Sequence, residues 1–297
     1  MRRNIFLALG FASLGWGLAG VAVRAALNEG VEPLTMVALR SLLAAGGVLI
    51  YLSLIGRTIG SDSRLWTTGI VMGVFNLTLP FILFTLAYQY ASAGFVGLLA
   101  ALMPLSTAVW AHYTVPGESL TTGKLTGMLI ALAGVAFLLG SGNSGLTEGG
   151  SPPLAVTLGL GAVVAIGFAS AFAKRREDTF TPLPIVGIQF VVGAVILVPL
   201  MLVVDGLPTE LSAAGWALVV FLAAASSFLP FLLFYWLLQH ASVTTASLGG
   251  YIVPLVSLLG GVVLLDERLQ LGIVIGGALI LVGVLLTDQA ERRLVRL

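Results

Sequence analysis

Ten stretches of apolar residues, each long enough to cross a bilayer, leave this chain little freedom in what it can become. A hydrocarbon core asks for about 20 apolar residues per helix. Such stretches run over 4–27, 33–55, 65–88, 93–115, 121–141, 154–173, 183–204, 214–238, 243–265 and 270–288, between short charged or Gly/Pro-rich breaks. With 58% of 297 residues hydrophobic and 9% charged, there is too little polar surface to wrap an apolar interior in water. Lipid must be the solvent, and because lipid cannot hydrogen-bond a bare backbone, each stretch is expected to be a helix. The N-terminal Met1-Arg2-Arg3 and the run after it look like a secretory signal. That run continues through Phe11, Leu14, Trp16 and Val21 to Leu27, however, so it reads as the first membrane helix.

The charges orient the expected bundle. With the amino terminus in the cytoplasm, Arg2, Arg3, Arg57, Arg64, Lys124, Lys174, Arg175, Arg176, Arg292, Arg293 and Arg296 share one side. Glu29, Glu32, Glu148, Asp205, Glu210 and the Asp266-Glu267-Arg268 cluster take the other, with Arg268 the main exception. Both termini are therefore expected in the cytoplasm, with the chain multi-pass in the inner (plasma) membrane. A formal charge of +1 gives no reason to expect a nucleic-acid partner. The chain has no cysteine, no H-E-x-x-H and no P-loop, so the sequence suggests neither an enzyme nor an ATP-driven pump, and no cofactor or metal.

Within the chain one pattern occurs twice. Leu79-Pro80-Phe81-Ile82-Leu83-Phe84 returns as Leu229-Pro230-Phe231-Leu232-Leu233-Phe234. At the same offset Gln89, Ala91, Ser92, Leu98, Pro104 and Leu105 match Gln239, Ala241, Ser242, Leu248, Pro254 and Leu255. One residue out of register, Glu118 matches Glu267, and Gly123, Gly127 and Gly134 match Gly272, Gly276 and Gly283. Upstream, Pro33 and Arg40 align with Pro182 and Gln189, and Trp16 with Phe168. The break from Gly140 to Pro153 separates two units, 1–142 and 143–297, of five helices each. An odd number forces the second unit to enter the membrane in the opposite sense, and inverted repeats around a central cavity are a device for alternating access.

Trp16-Gly17, Pro33 with Ala38-Leu39-Arg40, and the proline-bearing fourth and ninth helices, each followed by a Glu, resemble the drug/metabolite transporter superfamily and within it the duplicated EamA-type branch. Glu118-Ser119-Leu120 and Asp266-Glu267-Arg268-Leu269 match that branch's usual junction in part, the first copy reading Val115-Pro116-Gly117-Glu118-Ser119. The resemblance spans the whole chain and implies ten helices in two inverted repeats around a central cavity. Its general likeness to exporters of aromatic and neutral amino acids implies a secondary transporter or facilitator for such solutes, working as a monomer or homodimer. A multidrug or other-metabolite exporter of the same fold, and a non-transporting membrane scaffold, are the rival readings.

Several residues are candidates for carrying the chemistry. Pro80 and Pro230 remove a backbone donor in mid-helix and free a carbonyl one turn earlier, so they are expected hinges, as are Pro104 and Pro254. One turn before the first pair lie Asn76 and Ser226-Ser227, which can bond a substrate or patch the broken ladder. Trp16, Met103 and Tyr251, with Asn76 and Ser227, are the expected substrate-binding set; Trp110, Tyr235 and Trp236 fit ordinary packing as well. Arg40 is a cation inside a span and needs a partner; its alignment with Gln189 favours interhelical hydrogen bonds over a substrate carboxylate. Arg24 is near enough to its helix end to snorkel. His112 is the candidate for proton coupling, although an interfacial histidine is the more common occurrence, and His240 reads as a loop residue. The paired glycines are expected to pack the fifth helix on the tenth, and Glu118 and Glu267 to cap helix starts.

Overall fold

The structure, a computed structural model, describes residues 2–146, 149–176, 182–208, 211–240 and 249–295. It is all-helical over these residues. In chain order the membrane helices are α1 (Arg2–Asn28), α2 (Pro33–Leu54), α3 (Ser63–Tyr90), α4 (Ala93–Thr114) and α5 (Thr122–Ser141). The second unit holds α6 (Pro152–Arg175), α7 (Pro182–Val204), α8 (213–240), α9 (Gly249–Leu265) and α10 (Leu271–Val295). Among the described residues nine helices are long and apolar enough to span, and α9 is the shorter tenth. Residues 243–248, where the sequence starts the ninth helix, and the matches Ala241, Ser242 and Leu248 lie outside the described residues.

Local chemistry sets the helix ends. The side chains of Asp62, Ser92, Thr121 and Ser212 accept from Arg64, Phe95, Lys124 and Gly215 amides to cap α3, α4, α5 and α8. Pro33 and Pro152 occupy the first turns of α2 and α6, where a missing N–H costs no bond. Gly142, at φ 66°, ends α5 in the left-handed conformation.

The expected kinks at Pro80 and Pro230 take the form of π turns, Gly73–Thr78 in α3 and Ala224–Phe228 in α8. The Leu79 amide bonds the Val74 carbonyl and the Leu229 amide the Ala224 carbonyl, each five residues back. A proline cannot donate to the carbonyl four residues earlier, and widening the preceding turn by one residue absorbs that loss. The second pair of prolines behaves differently. Helix α4 is interrupted at Ala101–Leu102 and restarts at Met103-Pro104, whereas Pro254 sits inside the described part of α9.

The two units interlock. Helix α1 packs chiefly on α9 and α8 of the other unit, and α6 packs in the same way on α4 and α3. Helix α2 meets the π turn of α8, and α7 that of α3; the pairs α2–α7, α4–α9 and α5–α10 close the pattern on itself. The expected glycine seam joins α5 to α10: a Cβ on Gly134 would lie 2.7 Å from the Gly276 carbonyl oxygen, so only glycine permits this approach. One alignment changes. Gly17 lies against Val256 and Gly167 against Ser106, residues 150 apart, so Trp16 corresponds to Ile166 rather than to Phe168.

The start of α1 and the end of α10 lie at one end of the bundle, the terminal end, with Arg57, Arg64, Lys124, Lys174 and Arg175. The far end carries Glu29, Glu32, Asp205, Asp266 and Glu267, with Arg24 and Arg268.

Candidate functional site

The two π turns present polar groups to the interior, and the pseudo-symmetric pair Arg40 and Gln189 reaches them from α2 and α7. Arg40, only 6% exposed, donates from Nε to Ser227 Oγ at 2.6 Å and from an Nη to the Ser226 carbonyl at 3.1 Å. Its guanidinium lies 4.0 Å from the centre of the Phe81 ring. In the other half Asn76 Nδ2 donates to Gln189 Oε1 at 3.4 Å. Each of these bonds joins one unit to the other. Ser227 has both functions of its hydroxyl in use, since it also donates to the Leu222 carbonyl at 2.8 Å. The unused hydroxyl is on Ser226, fully buried with no partner, and Gln189 Nε2 and the hydroxyls of Ser13 and Ser41 are buried and unpaired too.

Aromatic side chains gather in two groups. Trp16 meets Phe231 and Phe234 edge-on at 5.7 and 5.3 Å, and Phe231 also meets Phe190 at 5.3 Å. Phe168 is flanked by Phe75 at 4.9 Å and Trp110 at 5.3 Å. Phe81 and Phe231 pack on a shared cluster, so the Trp16 group and the Arg40 site adjoin. Met103 is half-buried against the main core at the restart of α4. Tyr251 does not join these residues: its hydroxyl faces Asp288, which is paired to Arg292 at 2.6 Å near the end of α10. Tyr235's side chain lies outside the described set.

His112 is exposed at the terminal end, with Nδ1 3.2 Å from the Glu118 carbonyl oxygen and its ring edge-on to Tyr113. His240 ends the described part of α8 as a helical residue, stacked on Trp236 at 4.4 Å, where the sequence suggested a loop. Arg24, half-buried, bonds the Tyr88 carbonyl at 2.8 Å at the end of α3. Two clefts of about 340 and 240 Å³ flank it at the far end, one lined by Asn28, Glu32 and Gln89, the other by Asp266, Glu267 and Arg268.

Sequence reasoning missed how the two junction glutamates differ. Glu267 accepts from the Ala93 amide at 2.7 Å and the Gly94 amide at 3.4 Å, capping α4 from 174 residues away. Burial pushes its carboxyl above the ordinary 4.5, against the pull of those two amides and Arg24. Glu118 instead pairs with Lys174, and with Lys124 at 3.7 Å. The hydrogen bond from Lys174 holds its carboxyl below the ordinary value despite partial burial. Glu118's matching target, the start of the ninth helix, lies outside the described residues.

Comparison with known proteins agrees with this architecture. The sequence pattern of the EamA-like transporter family matches residues 3–140 and again 153–287. The chain is 25% identical over 295 residues to the uncharacterized transporter YvbV of Bacillus subtilis, covering 96% of this chain and 92% of that one. It is 25% identical over 289 residues to an uncharacterized transporter of Archaeoglobus fulgidus, covering 96% and 98%. Protein PecM of Dickeya dadantii is 23% identical over 80% of this chain and 77% of its own. A crystal structure 24% identical in sequence superposes with a TM-score of 0.66 over 99% of both chains, and shows the fold alone.

Proposed function

Because the chain belongs to the EamA-like transporter family, we propose that it is a secondary transporter or facilitator that exports neutral and aromatic amino acids by alternating access. The observation that carries this reading is the aromatic group around Trp16, which adjoins polar groups at a proline-linked π turn. Aromatic rings offer an apolar or aromatic side chain wide contact, and nearby hydrogen-bonding groups can receive its polar end. The repeats divide at 142/143. The basic, terminal end faces the cytoplasm of a plasma (inner) membrane, following the excess of Arg and Lys on that side. Because each unit's first helix packs on the other unit, the rocking bodies are mixed groups, α1–α2–α8–α9 against α6–α7–α3–α4.

The test is uptake of a panel of labelled neutral amino acids into proteoliposomes, with and without an imposed pH gradient. Saturable flux is expected, and Trp16→Ala should lower it by about tenfold or more, since truncating a packed aromatic removes several kcal/mol of contact. Absence of flux for every member in the native protein would reject the amino-acid assignment in favour of a drug or other-metabolite exporter. A response to the gradient would show proton coupling.

A further inference from the structure

Among the described residues Arg40 forms no ion pair. It lies within α2, where an isolated cation costs roughly 2.5–3.5 kcal/mol by insertion scales. Its contacts are a hydroxyl, a backbone carbonyl and a ring face, all neutral. Among the described residues the ion pairs are Lys124 with Glu118 and Glu291, Lys174 with Glu118, and Arg292 with Asp288, all at the terminal end. Asp205, just beyond the end of α7, meets α2 at Thr35, accepting from its amide at 2.7 Å and its hydroxyl at 3.0 Å. A guanidinium has five N–H donors, and two are used here. The Ser226 hydroxyl, on the residue whose carbonyl already holds the arginine, is buried and unpaired.

We propose that Arg40 and the Ser226 hydroxyl bind the carboxylate of the transported molecule, with Phe81 stacked beneath the guanidinium and the Trp16 group receiving the side chain. The planar fork of a guanidinium matches a carboxylate with two parallel bonds. One cation, with no second one in contact with it among the described residues, suits a singly charged anion. An arriving carboxylate supplies the missing counter-charge and can take the idle serine donor, while an amine lacking a carboxylate does neither. This rests on the transport reading above and narrows its substrates to molecules bearing a carboxylate.

The experiment is thermal unfolding of the purified full-length protein in detergent at constant ionic strength, titrated with phenylalanine, phenylacetate, phenethylamine or chloride. Phenylalanine and phenylacetate are expected to raise the midpoint in a saturable way, phenethylamine and chloride to leave it unchanged. Arg40→Gln should weaken the carboxylate effect by about tenfold or more, as loss of a charge-assisted hydrogen bond implies. An equal carboxylate effect in Arg40→Gln, no carboxylate effect in the native protein, or an effect of chloride or phenethylamine matching that of phenylacetate would overturn the site. If Arg40→Gln does not fold, Ser226→Ala keeps the charge and should weaken carboxylate binding by about threefold to tenfold; unchanged binding would overturn the site. A carboxylate effect that depends on Arg40, without flux of any amino acid in liposomes, would leave the site standing and reject amino-acid transport. Flux unaffected by Arg40→Gln would do the reverse.

Discussion

Glu267 at the far end and Glu118 at the terminal end hold matching places in the two repeats, yet they fasten the molecule in different ways. Glu267 ties the 266–270 loop to the first amides of α4, and the loops around it are joined through backbone amides. Ser92 N donates to Ser144 O at 2.8 Å, Ser151 N to Tyr90 O at 2.9 Å, and Gly145 N to Gln270 Oε1 at 3.1 Å. Glu118 is fastened by lysine side chains, one of them, Lys174, 41% exposed. A capped, half-buried helix start is worth about 0.5–2 kcal/mol, whereas an exposed ion pair is worth roughly 0–1. Helix α4 follows the same gradient: residues 93–99 are buried, while Pro104 and Val109 are exposed. Of the two glutamates, Glu267 is therefore expected to be the stronger fastening.

The strongest way to break the comparison is to push Glu267 off its cap. A Cβ on Gly261 would collide with the Glu267 carboxylate, while the corresponding residue of the first unit, Ala111, already has one. Gly261→Ala is expected to destabilise the protein by about 3 kcal/mol, the upper range for overpacking a fitted site. Glu267→Ala comes next, at about 2 kcal/mol, because it leaves the buried Ala93 amide without an acceptor. Thermal unfolding in detergent measures both. If Glu267→Ala costs no more than Glu118→Ala, the far end is not the stronger latch.

Acid should act on the two ends with opposite sign. Glu267's carboxyl is raised above 4.5 in the fold, so its contribution is fully present below 4.5 and is lost as pH rises through the folded value. Glu118's is lowered, so its contribution is present above 4.5 and is lost as pH falls through its folded value. As pH drops toward 4, the native protein should gain stability relative to Glu267→Gln and lose it relative to Glu118→Gln. Melting midpoints of the three proteins at several pH values test this, and shifts of the same sign for both variants would remove the distinction.

Much of the frame was legible because hydrophobic length and helix punctuation are local. The first span, expected at 4–27, runs Arg2–Asn28, and the glycine spacing of 123, 127 and 134 pointed to the α5–α10 seam that exists. What stayed hidden depends on contacts between distant segments. Nothing near Glu267 in sequence announces Ala93 as its partner, and the repeat suggested that Glu118 would act alike, although Lys124 and Lys174 capture it. The prolines signalled a disturbed helix, but whether it becomes a π turn at Pro80 or an interruption before Pro104 depends on what surrounds each one. At the candidate site the sequence singled out Arg40 and Ser227 as residues. That Ser227 is occupied and Ser226 idle follows from helix rotation against α2, which no periodicity encodes.

The smallest expected effect is the sharpest test of what fastens the terminal end. Lys174→Ala removes one lysine from Glu118 but leaves Lys124, which is 3% exposed and also lies 3.9 Å from Glu291. An exposed long side chain gives up rotamer freedom to hold its partner, so the loss should be about 0.5 kcal/mol or less. Because the pair is open to water, raising the salt to about 1 M, where the screening length is about 3 Å, should erase even that difference. The same salt should leave the cost of Glu267→Ala nearly unchanged, since that bond is a half-buried cap to a backbone amide. Thermal unfolding of the native protein and both variants at low and high salt reads all of this in one series. A Lys174→Ala effect above about 1 kcal/mol that survives high salt would mean that the terminal end is held as firmly as the far end, and the asymmetry between the two glutamates would then be one of partners only, without a difference in strength.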